Sequence, residues 1–217
     1  MALQIAQTLV EGFDENISYL IYCDVSKEAI IIDPSGTFAL VEEKITQLQL
    51  QVVAVLLTHT HADHVDALNT ALGIFPVPVF VHEKGVSLIT AEQIQPIVDG
   101  NEIELGEGII SLFYTPGHSE DSICALFASV GDQPILITGD TLFIDGCGRT
   151  TDGEAFDLYN SLQFIKSLPG ETVIYPGHNY GPVVVDTLSS QLLTNRFLQA
   201  QTFSDFCLER LGYTINT

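Results

Sequence analysis

Apolar and polar positions along the first third of the chain fall into short blocks. Residues 4–10, 17–23 and 29–32 are rich in apolar and β-branched side chains, and polar stretches at 11–16 and 24–27 separate them. That pattern predicts strands joined by hairpin turns into a meander. Asp33-Pro34-Ser35-Gly36 breaks it, and Leu40, Val41, Ile45 and Leu48 then recur at helical spacing over 38–48. Residues 52–57 are wholly apolar, as expected of a strand covered on both faces. Further along, the spacing predicts helices over 65–72, 83–89 and 154–168 and a helical tail from Asp186. Strands are expected at 77–81, 109–114, 122–127, 134–138 and 172–175.

The two halves share one design, an apolar strand that delivers a histidine at its C-terminal end: 52–57 before His59, and 172–175 before His178. No Pro/Ser/Gly-rich linker divides the chain, so one domain over 1–217 is expected. Two stacked sheets with helices outside satisfy the order of elements. A doubly wound parallel sheet is the competitor, and the meandering strands at the start count against it.

Composition narrows the class. A chain of 217 residues that is 46% hydrophobic can bury a sizeable core. Its net charge of −21, from 28 acidic and 7 basic residues, argues against a nucleic-acid surface and against docking on anionic lipid. Four cysteines (Cys23, Cys124, Cys147 and Cys207) form no C-x-x-C pair, and Cys23 and Cys124 sit in apolar runs as small hydrophobes. No leader-like start and no run of 18 apolar residues occur, so a cytoplasmic protein without a membrane span is expected.

Three of the six histidines fall within six residues, as His59-Thr60-His61-Ala62-Asp63-His64. Protonating one imidazole in such a cluster would repel the others. A cation coordinated by neutral imidazoles and a carboxylate removes that conflict. His59 and His61 can point to one ion while Asp63 and His64, at a helix start, reach a second. Further ligand candidates each follow a strand and a glycine: Gly117-His118, Gly139-Asp140 and Gly177-His178. His82, outside these motifs, reads as packing or as a supporting hydrogen bond. Asp33 reads equally as a turn residue or as support for the metal loop.

The segment 59–64 resembles the H-x-H-x-D-H signature of the metallo-β-lactamase superfamily, and His118, Asp140 and His178 match its downstream ligands in order and spacing. The resemblance implies an αββα four-layer sandwich, two mixed β-sheets flanked by helices. It implies His59, His61 and His118 on one metal, Asp63, His64 and His178 on a second, and Asp140 bridging. Nitrogen and oxygen donors without thiolate suit two divalent ions, zinc foremost, with iron or manganese as alternatives. Two such ions acidify the water between them into a nucleophile, which Asp63 can orient.

Residues 142–149, ending in Gly146-Cys147-Gly148-Arg149, resemble the corresponding region of glyoxalase II and of the persulfide dioxygenases. In glyoxalase II the basic residue there contacts glutathione, which makes Arg149 a candidate substrate residue; Tyr180 is another, and Cys147 reads as packing. The resemblance implies hydrolysis of a small-molecule thioester of acylglutathione type. Thr151 stands where glyoxalase II has Tyr, and only 39 residues follow His178, fewer than the helical domain of that family needs. The rival reading is a mononuclear iron persulfide dioxygenase with His59, His118 and Asp140 as its triad. Oligomeric state stays open, since Phe197, Phe203, Phe206 and Leu208 can either cover the sandwich or pair two chains.

Overall fold

A computed structural model of the protein describes residues 3–11 and 14–214. Strands β1 (Leu3–Leu9), β2 (Ile17–Cys23) and β3 (Glu28–Ile32) pair antiparallel. After helix α1 (Ala39–Leu48), strand β4 (Gln51–Leu56) adds parallel to β3. Helices α2 (Ala62–Val65) and α3 (Leu68–Ile74) follow, and β5 (Val79–His82) and β6 (Ile94–Ile97) complete a mixed six-stranded sheet.

The second sheet starts with β7 (Glu102–Leu105), β8 (Gly108–Tyr114), β9 (Ile123–Ala128) and β10 (Pro134–Gly139), all antiparallel. A small hairpin of β11 (Leu142–Phe143) and β12 (Gly146–Cys147) leads to helix α4 (Ala155–Lys166). Strand β13 (Val173–Pro176) then pairs parallel with β10, and β14 (Asp186–Thr187) closes that edge. Helices α5 (Leu188–Thr194), α6 (Arg196–Gln199) and α7 (Phe203–Leu211) finish the described chain.

Strand alternation builds the layers. Ile17, Tyr19 and Ile21 of β2 and Ile30 and Ile32 of β3 point into a central core with Leu112, Ile123, Ile135 and Ile137 of the other sheet. The residues between them, Leu20 and Ile31, face outward onto Val41 and Ile45 of α1 and Leu68 of α3. On the opposite outer face Leu136 and Ile174 pack under Leu158, Leu162 and Ile165 of α4, with Phe197 and Phe206 of the tail. The protein is therefore an αββα sandwich, and its tail covers the second sheet.

Three expectations change in detail. The helix expected over 65–72 divides into α2 and α3, because Ala67 N–H donates to the Pro34 carbonyl (3.2 Å) and Asp66 accepts from Gly36 N–H (2.9 Å). These bonds tie the chain to the 33–36 turn instead of to its own preceding turn. Residues 83–88 form a 3₁₀ turn rather than an α-helix. Strands β6 and β7 lie in a stretch with no predicted element. Among the described residues no helix is long and apolar enough to cross a membrane.

Candidate metal centre and cleft

Five segments that follow β4, β8, β10 and β13 or open α2 bring seven side chains together. His59 Nε2 lies 3.0 Å from His61 Nδ1, and His118 Nε2 lies 2.9 Å from the same atom. His64 Nε2 and His178 Nε2 are 3.2 Å apart, with Asp63 Oδ2 at 3.6 and 3.4 Å from them. Asp140 stands between the groups: Oδ1 is 3.2 Å from His64 Nε2, and Oδ2 is 3.4 and 3.3 Å from His118 and His178 Nε2. The donor atoms of His59, His61 and His118 lie within 4.8 Å of one another, as do those of Asp63, His64 and His178 and those of His59, His64 and Asp140. Each of these groups could hold an ion.

The local chain geometry explains how such crowding is built. Gly139 adopts φ +48°, and a Cβ there would stand 2.5 Å from Thr58 Oγ1. A Cβ on Gly177 would overlap Asp140 Oδ1 and sit 2.8 Å from His64 Cε1. Both glycines let backbone approach the cluster where a side chain would fill it.

Further residues aim the ligand candidates. Asp33 is buried and accepts from Thr58 N–H (2.7 Å), from Thr58 Oγ1–H (2.5 Å) and from His64 Nδ1 (2.9 Å). Thr58 Oγ1 in turn lies 3.2 Å from His59 Nδ1. Asn16 Nδ2 donates to Asp63 Oδ2 (2.9 Å) and to the Asp63 carbonyl (3.2 Å). The Asp14 carbonyl meets His178 Nδ1 at 2.6 Å, and the Arg149 carbonyl meets His118 Nδ1 at 3.0 Å. Each bond occupies one ring nitrogen and turns the other toward the cluster. Sequence reasoning left Asp33 undecided and did not single out Asn16, Asp14 or Thr58. Their only sequence signal is a polar residue at the border of an apolar strand.

Electrostatics within the cluster divides the histidines. Burial, reinforced by the neighbouring His64, pulls His59 well below the ordinary imidazole value, and burial lowers His118 against the pull of Asp140. Burial acts on His64 too, but Asp140 and Asp33 outweigh it and hold that group high. For His178 burial is opposed by hydrogen bonds with Asp140 and Asp63, which push it up to about 9. The His178 hydrogen bond holds Asp63 far below the usual carboxylate range, and His64 and His178 hold Asp140 low in spite of its burial. The cluster is thus a place where positive charge is favoured beside ionised carboxylates. One acceptor, Asp140 Oδ1, is buried without a well-formed hydrogen bond. Imidazole nitrogens converging at 2.9–3.2 Å and an orphan carboxylate oxygen fit bound cations, which supply the partner that both lack.

A cleft of about 760 Å³ opens over the cluster. Its wall includes both expected substrate residues. Arg149 is exposed, and Tyr180 stacks face to face on His178 (centroids 4.7 Å apart, planes at 5°) while its hydroxyl donates to Asp14. Cys147 also lines the cleft but is buried, and burial pushes its thiol up to about 12, the behaviour of a packing residue. Among the described residues His82 joins none of the groups that could hold an ion; its ring stacks on Tyr114 at 4.2 Å.

Comparison with known proteins agrees with this geometry. The family model for the metallo-β-lactamase superfamily matches residues 13–178. A probable hydroxyacylglutathione hydrolase of Schizosaccharomyces pombe is 32% identical over 89% of this chain and 73% of its own length. A probable zinc-dependent hydrolase of polyketide biosynthesis, BaeB of Bacillus velezensis, is 31% identical over 88% of this chain and 85% of its own. Two further hydroxyacylglutathione hydrolases are matched over 64% and 66% of their length. Among solved structures, ETHE1 from Myxococcus xanthus superposes with a TM-score of 0.80 at 28% identity, over 96% of this chain and 91% of that one. The chain belongs to the metallo-β-lactamase superfamily, among its glyoxalase II-like metallohydrolases.

Proposed function

We propose that the chain hydrolyses acyl thioesters of small-molecule thiols at a two-metal centre. In this reading His59, His61 and His118 would hold one divalent ion and Asp63, His64 and His178 the other, with Asp140 available to both groups. The observation that carries it is Asp140, whose two oxygens reach toward histidines of both groups at 3.2–3.4 Å. Zinc is the first choice for an all-nitrogen-and-oxygen set, and iron or manganese suit the same donors. Bound there, the ions would supply a hydroxide nucleophile at neutral pH and polarise the thioester carbonyl.

The chain's own residues supply position. Asn16 fixes Asp63, whose side chain keeps 35% of its surface open to the cleft, so that its carboxylate can orient the attacking nucleophile. Arg149 and Tyr180 line the cleft and hold the thiol part of the substrate. Attack of hydroxide on the carbonyl carbon would form the C–O bond, and collapse would break the C–S bond with the hydroxyl proton passing to sulfur, releasing a carboxylate and the thiol. The relatives named hydroxyacylglutathione hydrolase suggest the thioester class.

A mononuclear iron dioxygenase built on His59, His118 and Asp140 leaves the convergence of Asp63, His64 and His178 without a purpose. Elemental analysis of protein expressed with zinc, iron and manganese tests the choice. About two equivalents per chain, falling by one in His178→Ala, together with turnover of S-lactoylglutathione or an acyl-coenzyme A, is the expected result. One equivalent of iron, unchanged in that variant, overturns the two-metal reading.

A further inference from the structure

The two groups of ligand candidates are not built alike. In the group Asp63, His64 and His178, every side chain is fixed from behind. His64 Nδ1 meets the buried Asp33 carboxylate at 2.9 Å, and Asp33 is itself held by Thr58 N–H and Oγ1–H. His178 Nδ1 meets the Asp14 carbonyl at 2.6 Å. Asn16 Nδ2 donates to Asp63 Oδ2 at 2.9 Å and to the Asp63 carbonyl at 3.2 Å. Both histidines of this group are buried.

The group His59, His61 and His118 has less support. His59 Nδ1 reaches only the Thr58 hydroxyl, at 3.2 Å, and that hydroxyl already donates to Asp33. His118 Nδ1 meets a carbonyl at 3.0 Å, and the carbonyl belongs to the exposed Arg149. His61 is exposed. Its Nδ1 faces the cluster, and its Nε2 has no hydrogen-bond partner among the described residues.

Charge runs the same way. Asp63 belongs to the first of these groups and Asp33 stands behind its His64, whereas the second offers three imidazoles and no carboxylate of its own. Asp140 is available to both. A dication withdrawn from water gains most where anionic oxygen is close. A ligand whose other nitrogen is fixed also supports about 10- to 100-fold tighter metal binding than one left loose.

We propose that the centre fills in order: the first ion is held by Asp63, His64 and His178, and the group His59, His61 and His118 takes its ion last and exchanges it with solvent. His61 is the loose ligand through which that exchange occurs. On the two-metal reading above, on which this inference rests, hydrolysis then follows the supply of metal to one group while the other stays filled.

The test starts from the zinc-loaded full chain and withdraws metal with a chromophoric chelator at graded concentration. Two releases are expected, with dissociation constants at least about tenfold apart. X-ray absorption on the one-equivalent protein counts the imidazoles on the remaining zinc. Two are expected, from His64 and His178; three would place the ion on His59, His61 and His118. His61→Ala should abolish the loose step and leave the tight one unchanged, and Asp63→Ala should weaken the tight step at least about tenfold. Asn16→Ala, a change outside both ligand groups, should weaken the tight step alone, which a general loss of structure would not do. Equal constants, three imidazoles at one equivalent, a tight step lost in His61→Ala or untouched in Asp63→Ala, or both steps weakened alike by Asn16→Ala overturns the order of filling. Thioester turnover should vanish with the first release. Full turnover after that release sinks the two-metal reading and leaves the order of filling standing. If the chain holds one ion in all, the two-metal reading fails, and the imidazole count with Asp63→Ala still decides which group is preferred. A chain that holds no zinc sinks both.

Discussion

Replacing Asp33 by Asn changes one atom at the point where both halves of the metal centre are anchored. Asp33 already has a left-handed backbone, φ +47°, which Asn tolerates as well as Asp does, so the substitution leaves the turn unstrained. Of its three accepted bonds, the one from Thr58 N–H at 2.7 Å can survive on the remaining carbonyl oxygen. The amide nitrogen then faces Thr58 Oγ1 and His64 Nδ1, which lie 2.5 and 2.9 Å from the present Oδ2. Donor would meet donor at His64, because a ring whose Nε2 binds a cation carries its proton on Nδ1. A hydrogen bond to a charged group is worth about 1.5–3 kcal/mol, so loss of the His64 bond alone costs about 2 kcal/mol in a site that is 2% exposed. Part of that loss should appear as stability in urea and part as metal affinity, the latter weakened about 10- to 100-fold. Competition with a chromophoric chelator reads the affinity and urea titration reads the stability. The ion held by His64 should be affected first, with a smaller effect on the His59 side through Thr58. Wild-type affinity at both sites, with stability within about 0.5 kcal/mol, would refute the argument that Asp33 aims these rings.

Two other outcomes follow from the close packing around the centre. Gly177→Ala puts a methyl group against Asp140 Oδ1 and 2.8 Å from His64 Cε1, so the variant should fold but retain less than one equivalent of metal by elemental analysis. Full metal content would mean that the cluster has slack that the close packing denies. Cys124 and Cys147, pushed up to about 12 by burial, expose a thiolate fraction of only about 10⁻⁴ at pH 8, so native protein should leave both unmodified by iodoacetamide. Mass spectrometry should find both alkylated after unfolding in urea, and rapid native labelling of Cys147 would contradict its reading as packing.

The fold was legible wherever burial imposed a strong pattern. Residues 17–23 and 52–57 could be read as strands because nearly every side chain in them is needed by a core on one face or the other. Strand β7 offers only one turn of alternation, Glu102 and Glu104 exposed against Ile103 and Leu105 buried, too short to stand out from a charged loop. Strand β6 carries Pro96 and lies at the sheet edge, where Pro is tolerated although it weakens any reading of a strand. The break between α2 and α3 could not be read from helical spacing, since its cause is a pair of hydrogen bonds to residues 30 and 33 positions away, 66 − 36 and 67 − 34.

Within the site, legibility followed the demands of the chemistry. Seven histidines and aspartates at unusual density announce themselves because few structural roles want such a set. The residues that aim them do not, since Asn16, Thr58 and Asp33 are ordinary at a strand border and acquire meaning only when two sheets close. The 14–17 segment shows how this happens: Ile17 N–H donates to the Gly177 carbonyl and Asn179 N–H to the Glu15 carbonyl, so the first hairpin is strapped across the sandwich onto the His178 loop. That strap places the Asp14 carbonyl on His178 and Asn16 on Asp63 at once. A metal site can be written in local sequence because its ligands are chemically rare. Its alignment is a long-range property, set by which common residues the fold carries to the same place.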